Sequence, residues 1–302
     1  MKWKSTEHEL THLVSDLGIQ KKRYNLNWIN KFEFKEYHSK WWSKTNKKYK
    51  TIYSVSDVEY HINKFGFRTF NFEKFSEINL LTLGCSHTFG AGTPESDIWP
   101  NLLAEKLNIK KNTVCNLGIC GASIEKVLII STYLLHMEIK PKIVAVLLPH
   151  AERTINWGDN KYQSIFPWDV SEEDRKAYNL NNEQLKGYIN WVSENFSYQT
   201  AKINMAIDII SSICKMIDSK CIIIPFTFKL RIESEHASYL KPQSGEHFIN
   251  KARDLSHYDK IVHTRWAKLF YTEYLNPTKI DNYLDNNRNA NVLNLKPLYE
   301  ND

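Results

Sequence analysis

Three short and widely separated stretches carry the residue types of nucleophilic acyl chemistry. The first is "INLLTLGCSHTFGAG" (Ile78 to Gly92), an apolar run that stops at Gly84 and presents one serine, Ser86. A serine hydroxyl is a poor nucleophile until a neighbouring base accepts its proton. The second stretch is "ARDLSHYDKIVH", which places Asp254 three residues before His257. On a turn entering a helix, residues three apart can share a face, so the carboxylate can orient the imidazole while its other nitrogen looks outward. The third is "NLGICGAS" (Asn116 to Ser123), whose glycines let backbone N–H groups approach a ligand. Each piece also has an ordinary reading: a glycine turn, a helix cap or a surface ion pair.

Other chemistries find less support. His236, His247 and His263 crowd the last third with His257, but no HExxH or CxxC spacing accompanies them, so no metal site and no cofactor is expected. His263 reads as a packing or site-lining residue of the closing helix. There is no GxGxxG nucleotide fingerprint and no P-loop. Trp157, Tyr162, Trp168, Tyr188 and Trp191 lie in one segment; their flat faces suit either sugar stacking or a small local core.

The elements needed to position these residues are legible as patterns. "INLLTL", "TVCNLG" (Thr113 to Gly118), "KIVAVLL" (Lys142 to Leu148) and "CIIIPFTF" (Cys221 to Phe228) are continuous apolar runs, as strands buried on both faces require. Helical spacing marks Asp97 to Leu107 with Asp97 as its cap, Ser123 to Met137 with Ser123 as its cap, Ser197 to Asp218, and Tyr258 to Leu275. Strand and helix in alternation predict right-handed crossovers on a parallel sheet. Ligands of such sheets meet the carboxyl ends of the strands, where the glycine turns fall.

The chain divides into a basic, aromatic extension (residues 1–75) packed on the body, a main domain (76–278) with an insertion at about 150–197, and a polar tail (279–302). Of its 302 residues 42% are hydrophobic, enough for a large core. The formal charge of +6 is concentrated in the extension, which has 15 Lys/Arg against 8 Asp/Glu and leaves 25 against 26 elsewhere. "KTNKKYK" (Lys44 to Lys50) suits either a solvated surface or contact with an acidic partner; no nucleic-acid signature accompanies it. Five irregularly spaced cysteines do not form a disulfide framework. Without a secretory h-region or a run of 18 apolar residues, the expectation is a soluble, cytoplasmic protein, with lysis release or particle assembly left open.

Taken together and in order, the three pieces resemble the SGNH, or GDSL-like, hydrolase superfamily over Ile78 to Leu275. "LGCSHTFG" is similar to the first block in the Gly-Cys-Ser-x-Thr-x-Gly form of bacterial and phage-type members, "NLGICGAS" to the second, and "DLSH" to the last. "NKFGFRTFNF" resembles an Asn-x-x-Gly-Phe-Arg piece that precedes block one in that subgroup. The resemblance implies a three-layer α/β/α sandwich of flavodoxin-like topology carrying a serine esterase site. Ser86 would be nucleophile, His257 base and then acid, and Asp254 the group holding its tautomer. The N–H groups of Ser86 and Gly121 would bind the oxyanion. Residue 88 is Thr88, which sets this serine apart from the Gly-x-Ser-x-Gly elbow.

The third block departs from the family. Where it places Gly-x-Asn-Asp, this chain has "PHAERTINW" (Pro149 to Trp157), with Ala151 at the oxyanion-binding asparagine. His150, Arg153 and Asn156 are the candidates to replace that donor. The substrate class implied is an acylated small molecule or glycan, O-acetyl esters above all. The alternative is a non-catalytic binding or assembly module whose oxyanion site is degraded at Ala151.

Overall fold

The computed structural model describes residues 50–51, 58, 60–63, 67–69, 78–136, 140–156, 163–165, 183, 187, 190–191, 196–225, 250–251 and 258–276. Asp254, His257, Trp157, Tyr162, Trp168, Tyr188, His236, His247 and the 279–302 tail lie outside them. In chain order the elements are β1 (Lys50–Thr51), β2 (Leu80–Gly84), α1 (Ser86–Phe89), α2 (Trp99–Lys106), β3 (Val114–Asn116), α3 (Ile124–His136) and β4 (Ile143–Leu148). Then come β5 (Thr154–Asn156), β6 (Gln163–Ile165), α4 (Phe196–Met216), β7 (Lys220–Pro225), β8 (Asn250–Lys251) and α5 (Lys260–Leu275).

Four strands form one parallel sheet in the order β3-β2-β4-β7. Leu80 stands opposite Val114 on one side and Ile143 on the other, and Ile143 is opposite Lys220. Successive strand side chains point to opposite faces. Leu81, Leu83, Val144, Val146, Leu148 and Ile223 therefore enter one core, with Ile124, Val127, Ile130 and Leu134 of α3 and Ile203, Ile207 and Ile210 of α4. Leu80, Ile143, Ala145, Leu147, Ile222 and Ile224 enter the other, with Trp99 and Leu103 of α2 and Trp266 and Phe270 of α5. The Trp99 and Phe270 rings stack with centroids 4.4 Å apart. Burying one such aliphatic side chain contributes about 1.5–3 kcal/mol, so both helix layers are held mainly by apolar contact. Among the described residues no helix is long and apolar enough to cross a membrane. The Cys85, Cys115 and Cys214 thiols are buried. Burial pushes the Cys115 thiol well above its ordinary range.

Two expected caps are replaced. Asp97 ends a short 3-10 turn, Glu95–Asp97, and α2 starts at Trp99 after Ile98, which makes no side-chain cap bond. The Trp99 N–H instead donates to Nδ1 of His263 on α5 at 3.1 Å, and Asp97 Oδ1 pairs with Lys260 Nζ at 2.9 Å. Pro100, one residue further, lacks an N–H and suits the first helical turn. Ser123 precedes α3, but its buried hydroxyl finds no partner, so it does not cap through its side chain. Helix α5 begins at Lys260 rather than Tyr258, because the Asp259 carboxylate accepts from the Ile261 N–H at 3.0 Å.

Candidate active site

All four sheet strands run the same way, so the turns after β2, β3 and β4 leave from one edge. The turn after β2 is tight. Gly84 takes φ 152°, and a Cβ there would lie 2.1 Å from Thr88 Oγ1 and 2.6 Å from the Leu147 carbonyl. Only a residue without a side chain lets α1 fold back over its own strand. Ser86 opens that helix and is 6% exposed. Its carbonyl accepts from the N–H groups of Gly90 (2.8 Å) and Ala91 (3.0 Å), which binds the serine's own peptide into the turn.

The turn after β3 presses on this helix. A Cβ on Gly118 would sit 2.3 Å from the Phe89 backbone nitrogen, so the chains touch backbone to backbone. Asn116 fastens them: its Nδ2 donates to the Thr88 carbonyl at 2.9 Å, and its Oδ1 accepts from the Gly118 N–H at 2.9 Å. Gly121, at φ 74°, follows in the same turn. Sequence reasoning passed over Asn116; its signal was a lone amide at the end of an apolar strand.

The turn after β4 carries the replacement candidates. Arg153 is buried, and its Nη1 donates to the carbonyl of Ala122, next to Gly121, at 3.4 Å. The second and third turns thus meet through a cation. Burial first, and then the Arg153 charge, hold His150 neutral, with its pKa lowered to about 3. Glu152 Oε2 lies 3.8 Å from His150 Nδ1, beyond hydrogen-bond range. Ala151 is buried and offers a carbonyl, which accepts from Lys202 Nζ at 3.2 Å. Asn156 lies in β5, its backbone in antiparallel register with Gln163 of β6.

Lys202 of α4 also donates to the Arg153 carbonyl and pairs with Glu125 of α3 at 2.7 Å. Burial pulls the Lys202 ammonium below its usual range, and Glu125 opposes that. Glu125 accepts in turn from Thr154 Oγ1 at 3.0 Å. Its signal in the sequence was a lysine within the apolar stripe of α4, beside Ile203 and Ala206, where a charge needs a partner.

The upstream segment reaches the serine turn as well. Arg68 Nη1 donates to the carbonyls of Gly90 (2.6 Å) and Phe89 (3.2 Å), and Nη2 to that of Thr93 (3.0 Å). Its guanidinium lies 4.6 Å from the Tyr60 ring centroid, and the Tyr60 hydroxyl accepts from the Gly92 N–H at 2.8 Å. Asn63 closes the turn before Arg68, its Oδ1 accepting from the Phe67 N–H at 3.0 Å.

Asp254 and His257 lie outside the described residues. Tyr258, the residue after His257, packs against His87, the residue after Ser86. The His87 imidazole stacks on the Tyr258 ring, centroids 5.2 Å apart, and both rings meet Trp266 edge-on. The described part of the aromatic insertion places Trp191 on the surface, 4.7 Å from the Tyr198 ring. His263 is buried and serves α2 as described above. Neither a family model nor a curated protein matches this chain.

Proposed function

We propose that this chain is a serine esterase of SGNH type that removes a small acyl group, an acetyl ester above all, from a larger alcohol such as a sugar. The observation that carries the reading is the contact of His87 with Tyr258, since each is the immediate neighbour of a residue the chemistry needs. Consecutive Cα atoms are about 3.8 Å apart, so the peptides bearing Ser86 and His257 adjoin two rings in contact. The strand order β3-β2-β4-β7 fits a flavodoxin-like winding, whose ligand crevice opens beside the first strand.

In this reading His257, steadied by Asp254, takes the Ser86 proton as the hydroxyl oxygen attacks the acyl carbonyl carbon. The negative oxygen of the tetrahedral intermediate is bound by the Ser86 and Gly121 N–H groups. Arg153 supports the Gly121–Ala122 turn and is the candidate we favour for the missing asparagine, because it is bonded to the second turn. His150, kept neutral, adds no charge there. His257 then returns its proton to the departing alkoxide, which leaves as the alcohol. Water, deprotonated by the same histidine, attacks the acyl-serine, and the acid is released with Ser86 restored.

The test is turnover of a chromogenic acetyl ester by wild type and Ser86→Ala, with fluorophosphonate labelling read by mass spectrometry. A rate lower by about 10⁴-fold or more and an adduct on Ser86 are expected. Equal rates, with no adduct, would leave a binding or assembly module.

A further inference from the structure

Thr93 joins two pieces of chain that are distant in sequence. Its side chain and backbone are fully buried. Its carbonyl accepts from Arg68 Nη2 at 3.0 Å, and its hydroxyl donates to the Tyr258 carbonyl at 3.3 Å. Arg68 belongs to the upstream segment and Tyr258 directly follows His257. Between them Thr93 closes the loop that begins at the end of the serine helix, with its own N–H donating to the Gly90 carbonyl at 3.2 Å.

The physical need for this arrangement starts with α1. A helix of four residues leaves its last carbonyls without helical partners, and buried carbonyls must be satisfied. Arg68 answers the carbonyls of Phe89, the last residue of α1, and of Gly90, its cap, and reaches that of Thr93 beyond, all with one planar group that a lysine ammonium on its flexible stem cannot reproduce. Val58, Tyr60, Phe89 and Ala91 pack into a small apolar cluster around the fork, and Phe89 lies 5.8 Å under the guanidinium. A second grip lies further along: β1 pairs in parallel with β8, Thr51 opposite Lys251, three residues before Asp254. The upstream segment therefore touches the serine turn through Arg68 and the chain before Asp254 through β1, while Thr93 reaches Tyr258, the residue after His257.

We infer that Arg68 and Thr93 are positioning residues that hold the chain at Tyr258, directly after His257, in register with the turn of Ser86, the two side chains acting as the strap between them. The catalytic half of this inference rests on the esterase reading; the mechanical half, that the two turns are coupled, does not.

The experiment compares Thr93→Val, which keeps the shape and removes the hydroxyl, with Thr93→Ser, which keeps the hydroxyl, and with Arg68→Lys. Amide hydrogen exchange is followed in peptides covering 89–93 and 254–261, beside steady-state acetyl-ester kinetics. Thr93→Val and Arg68→Lys should raise exchange in both peptides together and lower kcat about tenfold, with KM within about twofold. Thr93→Ser should restore both readouts. Faster exchange at 89–93 alone, or none, overturns the coupling even in a folded and active variant. If Ser86→Ala keeps full turnover, the esterase reading fails and the exchange data still decide whether Arg68 and Thr93 couple the turns. If Ser86→Ala is dead while Thr93→Val keeps wild-type kcat, the positioning role fails and the esterase stands.

Discussion

The His87 imidazole stacks on the Tyr258 ring with centroids 5.2 Å apart and planes 23° from parallel. These residues are 171 positions apart, and they bring the beginning and the end of the main domain to one place. His87 leaves the serine helix on the α2 and α5 side, where Trp266 completes the cluster. The serine helix and the chain entering α5 thus share a packed aromatic wall.

Replacing His87 by alanine should remove that wall. A loss of about 1–3 kcal/mol is expected, measured as a shift in urea midpoint, with slower fluorophosphonate labelling of Ser86. His87→Phe keeps a flat ring and should retain most of the stability. Labelling at the wild-type rate in His87→Ala would detach the stack from the serine's environment.

The contact of the second turn with α1 sets two further expectations. Gly118→Ala drives a methyl to within 2.3 Å of backbone and should destabilise strongly, by about 3 kcal/mol or more. Asn116→Ala strips partners from the Thr88 carbonyl and the Gly118 N–H, at about 1–3 kcal/mol for each buried group. Asn116→Asp keeps the acceptor and loses the donor, so it should fall between wild type and Asn116→Ala. Chemical denaturation of the three variants orders them, and Asn116→Ala as stable as wild type would show that the Asn116 bonds do not hold the second turn to α1.

His150 makes stability depend on pH in a direction that can be worked out. Its folded-state pKa is lowered to about 3, while an unfolded histidine titrates near about 6.5. Between those values the unfolded chain binds a proton that the folded protein refuses. The stability linked to neutral His150 is therefore complete above about 6.5 and is lost as pH falls towards 3. His150→Gln lacks this term, so its urea midpoint should fall less than that of wild type between pH 7.5 and pH 5. Equal falls would mean that His150 charges freely in the folded state.

Arg153 can be tested as the substitute oxyanion donor. Arg153→Met should lower kcat on an acetyl ester by about 10²-fold with little change in KM, whereas His150→Gln at neutral pH should leave kcat nearly unchanged. Arg153→Lys, with charge but no fork, should fall between Arg153→Met and wild type. Wild-type kcat in Arg153→Met would assign the guanidinium to the Ala122 carbonyl alone.

If His257 is the base, kcat/KM should decline as pH drops through about 6–7, and His257→Gln should flatten that limb while lowering the plateau. A profile with the same inflection in His257→Gln would place the titrating group elsewhere.

Much of the architecture was legible in composition alone. Ile143 to Leu148 could be read as a strand buried on both faces because six apolar residues in a row suit a parallel sheet and little else. The glycines of "LGCS" and "NLGICG" could be placed at turns for an equally local reason. The structure assigns Gly84 and Gly118 a sharper task, the close approach of backbones, which no run of letters states. Asp97 was a reasonable cap by type, and it bonds Lys260 instead, while the N–H it was expected to satisfy goes to His263. Lys202 finds Glu125, and Arg68 finds three carbonyls, by geometry across elements.

The strands, the helices and their inward faces are properties of neighbouring residues, and the order of side chains along the chain determined them. Which donor meets which acceptor across 20 to 170 positions was decided only by tertiary structure. A polar group declares that it needs a partner once buried, but its partner depends on how two layers pack against one sheet.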